Sequence, residues 1–371
     1  MKFHCERALF LGGISIASRT VAAKSTIPAL EGLLIEARED CLIITGYNLK
    51  TGIRTKVPAD VIEPGKLVLS AKLLGDIVRK MPEGTVSVTV ENSLLVKLTC
   101  NMSYFEIMGS QPEDFPELPS VDAENALRIS EKKLQELIGQ TIFAVSTNES
   151  RPVHTGSLFE VEEGKLTVVS VDGYRLALRR EELEDSGEEK LSFVVPGAAL
   201  SEVKNIASDS EDPVTIHLGS RHIMFSLGDT ELISRRLEGE FLDYRRSIPA
   251  QGKYEILGDR RSLLSAFERV SLVINEKYKS PVRCRFEDGA MKLSSTTAIG
   301  KATDECAVDG DGDGLEIGFN NRYVMDALRA APADELKILL SSAVSPCVLL
   351  PADGSDSFVY LILPVRIRAE E

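Results

Sequence analysis

The stretch DRRSLLSAFERVSLVI (residues 259–274) places apolar residues three and four positions apart, the spacing of one face of a helix. Two other stretches, ERALFLGGISIASR (6–19) and SEKKLQELIGQTIFA (130–144), have the same character. Each is followed by two strand-like runs, and these pairs turn at Glu39-Asp40, Glu163-Gly164 and Asp288-Gly289. Because the passage recurs about every 124 residues, the sequence predicts one ancestral domain used three times.

The second half of the unit recurs as well. Leu67, Leu191 and Leu315 each open a strand-like run that leads into a helix-like stretch, at Ala71 to Lys80, Pro196 to Ala207 and Asn320 to Ala330. The 371 residues divide into three units of ordinary domain size. We therefore expect three tandem domains (1–125, 126–250 and 251–371), each containing two helices and several strands.

The composition is that of a folded, water-soluble protein, with 43% apolar and 27% charged residues. No run approaches the roughly 18 apolar residues of a membrane span. Lys2 and Arg7 followed by an apolar run resemble a weak signal peptide, but Gly12-Gly13 breaks the run and Glu6 lies where a basic region is needed. We expect an N-terminal strand and helix, and a cytoplasmic protein.

Six cysteines occur without a C-x-x-C pair, which favours reduced thiols over disulfides. His217 and His222 lie in a stretch that alternates like a strand (214–227), with no cysteine near in sequence. Structural or surface histidines are therefore favoured over a zinc site.

The turn DGDGDG (309–314) satisfies the first six positions of a calcium-binding EF-hand loop. Its twelfth position is Asn320 instead of a bidentate Glu, and the preceding residues 301–308 are strand-like where a helix is required. A flexible acidic turn is the favoured interpretation. Since the motifs of nucleotide-binding loops, nucleophile elbows and zinc proteases are also missing from the sequence, we expect no metal, no cofactor and no catalysis.

The net charge of −14 argues against a polyanionic partner until its distribution is considered. Acidic residues concentrate in the turns 181–189, 209–212 and 309–313. The repeated helices instead carry Arg7, Arg19, Lys72, Arg79, Lys80, Lys132, Lys133, Lys204, Arg260, Arg261, Arg269, Arg322 and Arg329. These residues indicate either one basic side that faces nucleic acid or ordinary solvated helix faces.

Six short stretches occur in a recognisable order: MKF (1–3), TIPAL (26–30), SRPVHTG (150–156), VDGYRLA (171–177), FLDYRRSIP (241–249) and LPVR (363–366). Together with the threefold repeat, they resemble the β sliding clamps of bacterial DNA polymerase III along the whole chain. The resemblance implies an α+β fold of three tandem DNA-clamp domains, each with two helices packed on antiparallel sheets. The same resemblance implies a non-catalytic processivity factor, built as a head-to-tail homodimeric ring around double-stranded DNA. It also implies partners that carry clamp-binding peptides, among them the polymerase catalytic subunit and the clamp loader.

The resemblance further implies two sets of contact residues. The dimer interface would join Phe105 and Ile107, on an edge strand, to Leu272 and Val273 at the end of a third-domain helix, although all four could instead be core residues. Loops inside the ring would contact DNA through Lys24, Asn148 and Arg151, and Arg79 and Lys80 are added from their position.

A peptide-binding pocket between the second and third domains is the third implied site. Its residues would be His154, Val171, Gly173, Tyr174, Arg175, Leu176, Leu242, Arg246, Ser247, Asn320, Tyr323, Val344, Pro346, Ile362, Leu363, Pro364, Val365 and Arg366. Val171, His154, Leu242 and Ser247 depart from the family's usual residues, and the tail RAEE (368–371) extends beyond its usual end.

Alternatives remain for this site. Asp172-Gly173 could be only a tight turn, and residues 361–365 only a final core strand. A peptide-binding scaffold without a DNA role and an enzyme using the Asp172–Arg175 turn are the two rival functions.

Overall fold

The computed structural model describes residues 1–121, 125–183, 190–274 and 280–367. The tail 368–371 and residues 184–189 of the acidic turn predicted above lie outside the described residues. The chain forms two compact units, one of residues 1–134 and 202–236, the other of residues 135–201 and 237–371.

The helices are α1 (Arg7–Ala17), α2 (Ala71–Lys80), α3 (Glu131–Gly139), α4 (Gly197–Ile206), α5 (Arg260–Ser271) and α6 (Asn321–Ala330). The strands up to residue 130 are β1 (Lys2–Glu6), β2 (Gly32–Arg38), β3 (Cys41–Tyr47), β4 (Thr51–Pro58), β5 (Asp60–Glu63), β6 (Gly65–Ser70), β7 (Thr85–Val90), β8 (Leu95–Cys100), β9 (Ser103–Met108) and β10 (Asn125–Ser130). They continue with β11 (Gly156–Glu162), β12 (Lys165–Val171), β13 (Arg175–Glu182), β14 (Leu191–Pro196), β15 (Pro213–Leu218), β16 (His222–Leu227) and β17 (Thr230–Arg235). The last are β18 (Tyr254–Asp259), β19 (Val282–Glu287), β20 (Ala290–Thr297), β21 (Gly300–Ala307), β22 (Leu315–Phe319), β23 (Glu335–Leu340), β24 (Cys347–Pro351) and β25 (Phe358–Ile362).

The first unit contains a five-stranded sheet, β5-β1-β7-β8-β9, and an eight-stranded sheet, β10-β15-β16-β17-β4-β3-β2-β6. Both are antiparallel. One hydrophobic core joins both sheets to the two helices, with Phe10 from α1, Leu74 from α2, Leu33 from β2 and Val96 from β8 among its buried side chains. This shared core is the energetic reason why the helices form, because short helices depend on burial of an apolar face.

The second unit repeats the plan with an eight-stranded sheet, β14-β11-β12-β13-β25-β24-β23-β18, and a four-stranded sheet, β21-β20-β19-β22. Its core contains Phe267 from α5 and Leu328 from α6, together with Leu349 and Phe286 from the two sheets. The predicted pairing of two helices with antiparallel sheets is thus observed twice, once in each unit.

Strands of successive repeats pair within these eight-stranded sheets. In the first unit β4 pairs with β17, with Ile53 opposite Leu232. In the second unit β13 pairs with β25, with Leu176 opposite Leu361. The compact units therefore do not coincide with the sequence repeats, because backbone hydrogen bonds cross from one repeat into the next.

The three predicted hairpin turns form where expected, with Glu39, Glu163 and Asp288 in the left-handed region at φ of 47°, 50° and 55°. The second helix of each repeat also agrees with its prediction to within one residue at each end.

The first helices are shorter than predicted, most clearly in residues 130–144. There α3 ends at Gly139, and residues 142–144 form a separate 3₁₀ turn. The Thr141 hydroxyl donates to the Leu137 carbonyl oxygen at 2.7 Å. A side chain thus binds a carbonyl group near the end of the helix that a backbone N–H could otherwise bind. No helix among the described residues is long and apolar enough to cross a membrane.

Candidate functional site

The turn between β12 and β13 is held by the side chain of Asp172. Its Oδ1 atom accepts hydrogen bonds from the backbone N–H groups of Tyr174 at 2.9 Å and Arg175 at 3.0 Å. Gly173 lies at the centre of the turn with φ of +90°, a conformation that L side chains rarely adopt. This Asx turn leaves the Tyr174 side chain 62% exposed and directs Arg175 inward.

Arg175 is only 8% exposed and pairs with two carboxylates. Its Nε donates to Asp172 Oδ2 at 2.9 Å, and its Nη1 donates to Asp326 Oδ2, on α6, at 2.7 Å. The guanidinium carbon lies 4.5 Å from the ring centroid of Tyr323 and 5.4 Å from that of Phe143. Two carboxylates and two aromatic faces thus surround the cation and compensate for its removal from water.

The turn, α6 and the C-terminal segment meet at one place. The rings of Tyr174 and Tyr323 stack with centroids 6.1 Å apart and planes inclined by 27°. The Leu363 N–H donates to the Tyr174 carbonyl oxygen at 2.8 Å, and the Val365 N–H donates to the Gly318 carbonyl oxygen at 2.8 Å. Residues predicted from distant parts of the sequence are therefore brought together by backbone bonds and ring stacking.

Asn320 fixes the start of α6 and lines a groove beside Tyr323. Its Oδ1 atom accepts a hydrogen bond from the Arg322 N–H at 3.0 Å and caps the N-terminus of α6. The predicted pocket residue is thus a helix cap that fixes the start of the helix that carries Tyr323.

Three of the predicted pocket residues are almost fully buried. Val171, Leu176 and Ile362 are 4%, 3% and 1% exposed, so their side chains belong to the core. Val171 and Leu361 lie opposite Leu176 on neighbouring strands, and therefore share a sheet face with it, whereas Ile362 lies opposite Arg175 and faces the other way.

The apolar side chains that a ligand could reach lie at the margin of this sheet. They are exposed at Tyr174, Leu242, Val344, Leu363 and Val365. Pro364 and Pro346 are half-buried, and Arg366 is exposed. Pro346 immediately precedes Cys347, which lies opposite Ile362 in the β24–β25 pair.

The linker before residue 250 is attached to β11 through Glu160. The Tyr244 hydroxyl donates to Glu160 Oε2 at 2.6 Å, and Arg245 Nη2 donates to the same atom at 2.8 Å. Burial and the bond to Glu160 raise the pKa of Tyr244. This attachment leaves Leu242, Ser247 and Arg246 at the surface, and Arg246 pairs with Asp243 at 3.0 Å.

His154 contacts the same linker from the other side of the site. Its ring meets that of Phe241 edge-on, with centroids 5.5 Å apart. Partial burial, with a smaller effect of the Arg151 charge, lowers the pKa of His154. The neutral form of the imidazole is therefore favoured, and it packs edge-on against Phe241.

Four residues of the site were missed by sequence reasoning: Phe143, Glu160, Phe241 and Asp326. Phe241 lies in the family-like stretch 241–249, and Asp326 lies three residues after Tyr323 on a helix, so both carried a weak signal. Phe143 and Glu160 carried none, because only tertiary packing brings the 3₁₀ turn of Phe143 and the strand β11 of Glu160 to the site.

The predicted DNA-contacting residues are all exposed. Lys24 lies on the loop after α1, and Arg79 and Lys80 end α2. Asn148 Oδ1 accepts from the Ser150 N–H at 2.9 Å, which shapes the loop that carries Arg151. Arg79 also pairs with Asp76 at 2.9 Å and lines a groove of about 860 Å³ next to α1 and α2.

The basic helix residues are less available than their number suggests. The exposed positions of α1 are Ala8, Leu9, Gly12 and Ser15, and none is charged. Ion pairs join Arg19 to Glu202, Lys132 to Asp209, Arg261 to Asp334, Arg269 to Asp304, Arg322 to Asp326 and Arg329 to Glu268. These helices therefore present a weakly positive surface.

The predicted interface residues lie in two different settings. β9 is the end strand of its sheet, but Phe105 and Ile107 are half-buried against the core of the first unit. The exposed apolar residues of β9 are Tyr104 and Met108. Leu272, at the end of α5, is 82% exposed.

The six cysteines are free thiols. In the turn 309–314, the Asp311 carboxylate accepts from the Asp313 N–H at 2.8 Å. No group of three or more His, Cys, Asp or Glu side chains in the described part of the chain is arranged to hold a metal ion.

Comparison with known proteins assigns all three repeats to one family. Models of the DNA polymerase III beta subunit match residues 1–119 (N-terminal domain), 128–243 (central domain) and 245–366 (C-terminal domain). The beta sliding clamp of Staphylococcus aureus is 34% identical, with 99% of each chain covered.

Solved structures agree over the full length. The DNA polymerase sliding clamp of Bacillus subtilis matches with a TM-score of 0.95 and 30% identity, covering 99% of this chain and 100% of its own. The Pseudomonas aeruginosa clamp, bound to griselimycin, matches with a TM-score of 0.93, 28% identity and the same coverage.

Proposed function

We propose a function for this chain on the premise that it belongs to the family of bacterial DNA polymerase III beta subunits, the beta sliding clamps. It is a non-catalytic processivity factor of DNA replication, as members of this family are. The observation that carries this conclusion is the match of all three domain models, in order, along one chain. Its partners are DNA and a DNA polymerase.

The chain works as a head-to-tail dimeric ring around duplex DNA. A heterologous contact closes a ring when each subunit turns it by half a circle. One side of this contact is β9, an end strand whose unpaired backbone groups need a partner, backed by Phe105 and Ile107. The other side is Leu272 with Val273, because an isolated, highly exposed leucine gains most from burial in an interface.

The DNA contacts of the ring are few and weak. Lys24, Arg79, Lys80, Asn148 and Arg151 are exposed. Sliding requires that phosphate contacts be few and loose, and that bases not be read. The many ion pairs of the basic helix residues meet that requirement.

The second unit holds partner proteins through a peptide site at the Tyr174–Tyr323 stack. The C-terminal residues 363–366, Leu242 and Val344 supply exposed apolar or flanking surface, and His154 forms a wall. Val171, Leu176 and Ile362 support the site from the core. Occupants are peptides of the polymerase catalytic subunit, the clamp loader and other DNA-processing proteins.

The three working domains are residues 1–125, 126–250 and 251–371. These boundaries fall close to the stretches between the matched family domains. Because the bacterial chromosome, on which the clamp would work, lies in the cytoplasm, we place the protein there.

The peptide site is tested by fluorescence polarisation of a labelled peptide with a Gln-x-x-Leu-Phe core. The full chain is compared with a version that lacks residues 363–371 and with a matched control that lacks only 368–371. We expect saturable binding with a Kd on the order of 1 μM, about −8 kcal/mol, lost only in the longer truncation. Equal binding by both truncations would place the site elsewhere.

The ring is tested separately by retention on DNA. Clamps loaded onto nicked circular DNA are passed over a sizing column before and after the circle is linearised. A ring stays on the circle and runs off the linear form, whereas a scaffold without a DNA role stays on neither. Leu272→Asp should give monomers by light scattering, with Leu9→Asp, at another exposed leucine, as the control.

A further inference from the structure

We infer that Arg175 is a positioning residue of the peptide site and does not contact the peptide. Through its two carboxylate partners it sets the Tyr174 and Tyr323 rings, which form the surface that the peptide meets. This inference deepens the proposed function and rests on it.

Strand geometry turns Arg175 away from the face on which Leu176 lies. Successive residues of a strand point to opposite faces of the sheet. Leu176 is buried in the cluster that contains Leu361 and Tyr244, whereas Ala177 is buried in the cluster of α5 and α6. Arg175 shares the face of Ala177 and therefore points toward the helices.

Arg175 is also barely accessible to a ligand. It is 8% exposed, and its Nε and Nη1 atoms are bound to Asp172 and Asp326. A ligand that took the place of either partly buried carboxylate would leave that carboxylate unpaired, which is costly. Tyr174, its immediate neighbour, is 62% exposed and is open to a ligand.

The guanidinium holds together the two elements that carry the tyrosines. It joins the Asx turn of Asp172 to α6 through Asp326, and its carbon lies 4.5 Å from the Tyr323 centroid. The Tyr174–Tyr323 stack spans the same two elements. Arginine's planar fork can satisfy both carboxylates while lying over a ring, and a lysine ammonium cannot.

The test is a double-mutant cycle in the full-length protein. Binding of the labelled Gln-x-x-Leu-Phe peptide is measured for Arg175→Lys, Tyr323→Leu and the double variant. We expect each single substitution to weaken binding about tenfold, and the double variant to be no more than about threefold weaker than either, because the two residues act as one unit. Losses that multiply to about a hundredfold would mean that Arg175 contacts the peptide independently, and would overturn the inference.

A spectroscopic reading separates positioning from general loss of structure. The chain has 8 Tyr and no Trp, so near-ultraviolet circular dichroism reports tyrosine surroundings directly. Arg175→Lys should change this signal and weaken peptide binding. Arg179→Lys, whose charge lies near the buried Tyr360, should leave peptide binding unchanged. Arg179 is the matched control because it lies on the same strand and face and is also engaged, with Nε donating to Gln140 at 2.7 Å.

A second variant covers the case in which Arg175→Lys does not fold. Asp326→Asn keeps the shape of the side chain but weakens the charge-assisted bond, and should lower peptide affinity about threefold with the same change in the tyrosine signal. Unchanged affinity in a folded Asp326→Asn protein would overturn the inference. Absence of binding by the unmodified protein would instead overturn the proposed peptide site itself.

Discussion

The turn at residues 48–51 in the first unit and the turn at residues 172–175 in the second have the same hydrogen-bond pattern and different chemistry. Asn48 Oδ1 accepts from the N–H groups of Lys50 at 3.0 Å and Thr51 at 2.9 Å. Asp172 Oδ1 accepts from the corresponding two groups at 2.9 and 3.0 Å. The repeat has thus kept the Asx turn, which needs only a short side chain with an acceptor oxygen.

The difference between the turns lies in what they hold. In the first unit, the strand after the turn meets β17 through hydroxyl pairs, such as Thr55 Oγ1 to Thr230 Oγ1 at 2.8 Å. In the second unit the corresponding junction contains Arg175 with its two carboxylates and the exposed Tyr174. The first junction therefore buries neutral hydroxyl pairs and carries an ion pair, Arg54 with Glu231, at its more exposed side. The second junction buries a charge and places aromatic surface beside the proposed peptide site.

The largest expected effect comes from removing the cation of the second junction. Arg175→Met leaves Asp172 and Asp326 without their partner, and we expect it to lower the free energy of unfolding by about 2–4 kcal/mol. Thr51→Val, at the corresponding position in the first unit, should cost about 1 kcal/mol. Urea denaturation followed by far-ultraviolet circular dichroism measures both, and equal costs would erase the distinction between the junctions.

The buried hydroxyl pair of Thr55 and Thr230 should respond differently to single and double substitutions. Thr55→Val leaves the buried Thr230 hydroxyl unpaired and should cost about 1–2 kcal/mol. Replacing both threonines by valine removes both polar groups and should recover most of that loss. Urea denaturation of the three variants measures these losses in the free energy of unfolding. A double variant that loses more than the two single variants together would show that the hydroxyl pair stabilises the sheet beyond satisfying its own hydrogen bond.

A smaller effect is expected at the centre of each turn. A methyl group added at Gly173, where φ is +90°, would meet open space, so Gly173→Ala should cost about 1 kcal/mol from backbone strain alone. Leu49 occupies the matching position at φ of 70°, and Leu49→Gly should relieve strain and stabilise by up to about 1 kcal/mol. The two substitutions should therefore shift the midpoint of thermal unfolding in opposite directions. Shifts in the same direction would show that the two turns are not equivalent.

The smallest effect concerns pH. His154 stands where the first repeat has the buried Leu30. Because the pKa of His154 is lowered in the folded protein, the unfolded chain binds its proton first, and stability falls as the pH drops below the ordinary histidine value. His154→Leu should remove part of the stability loss between about pH 7 and pH 5 in urea titrations. If the variant loses as much stability at low pH as the unmodified protein, that loss belongs to other groups, such as His222, whose pKa is also lowered.

Local features of the site followed from the sequence as far as local rules reach. The tight turn at Asp172-Gly173 and the helix beginning near Asn320 could be predicted because both need only short-range bonding. The burial of Val171, Leu176 and Ile362, and the engagement of Arg175 by Asp326, depend on which strands pair. Residues 151 positions apart in sequence, as Arg175 and Asp326 are, leave no local pattern.

The sequence by itself determined the threefold repeat, the class of fold and the family, because the spacing of apolar residues and turn residues is local and recurs along the chain. It also set the second helix of each repeat to within one residue. Only the tertiary structure decided that the repeats join through β4–β17 and β13–β25, and that Arg175 is buried between Asp172 and Asp326. Strand pairing and burial are properties of the whole sheet, since each residue's face and partner depend on hydrogen bonds made by distant strands.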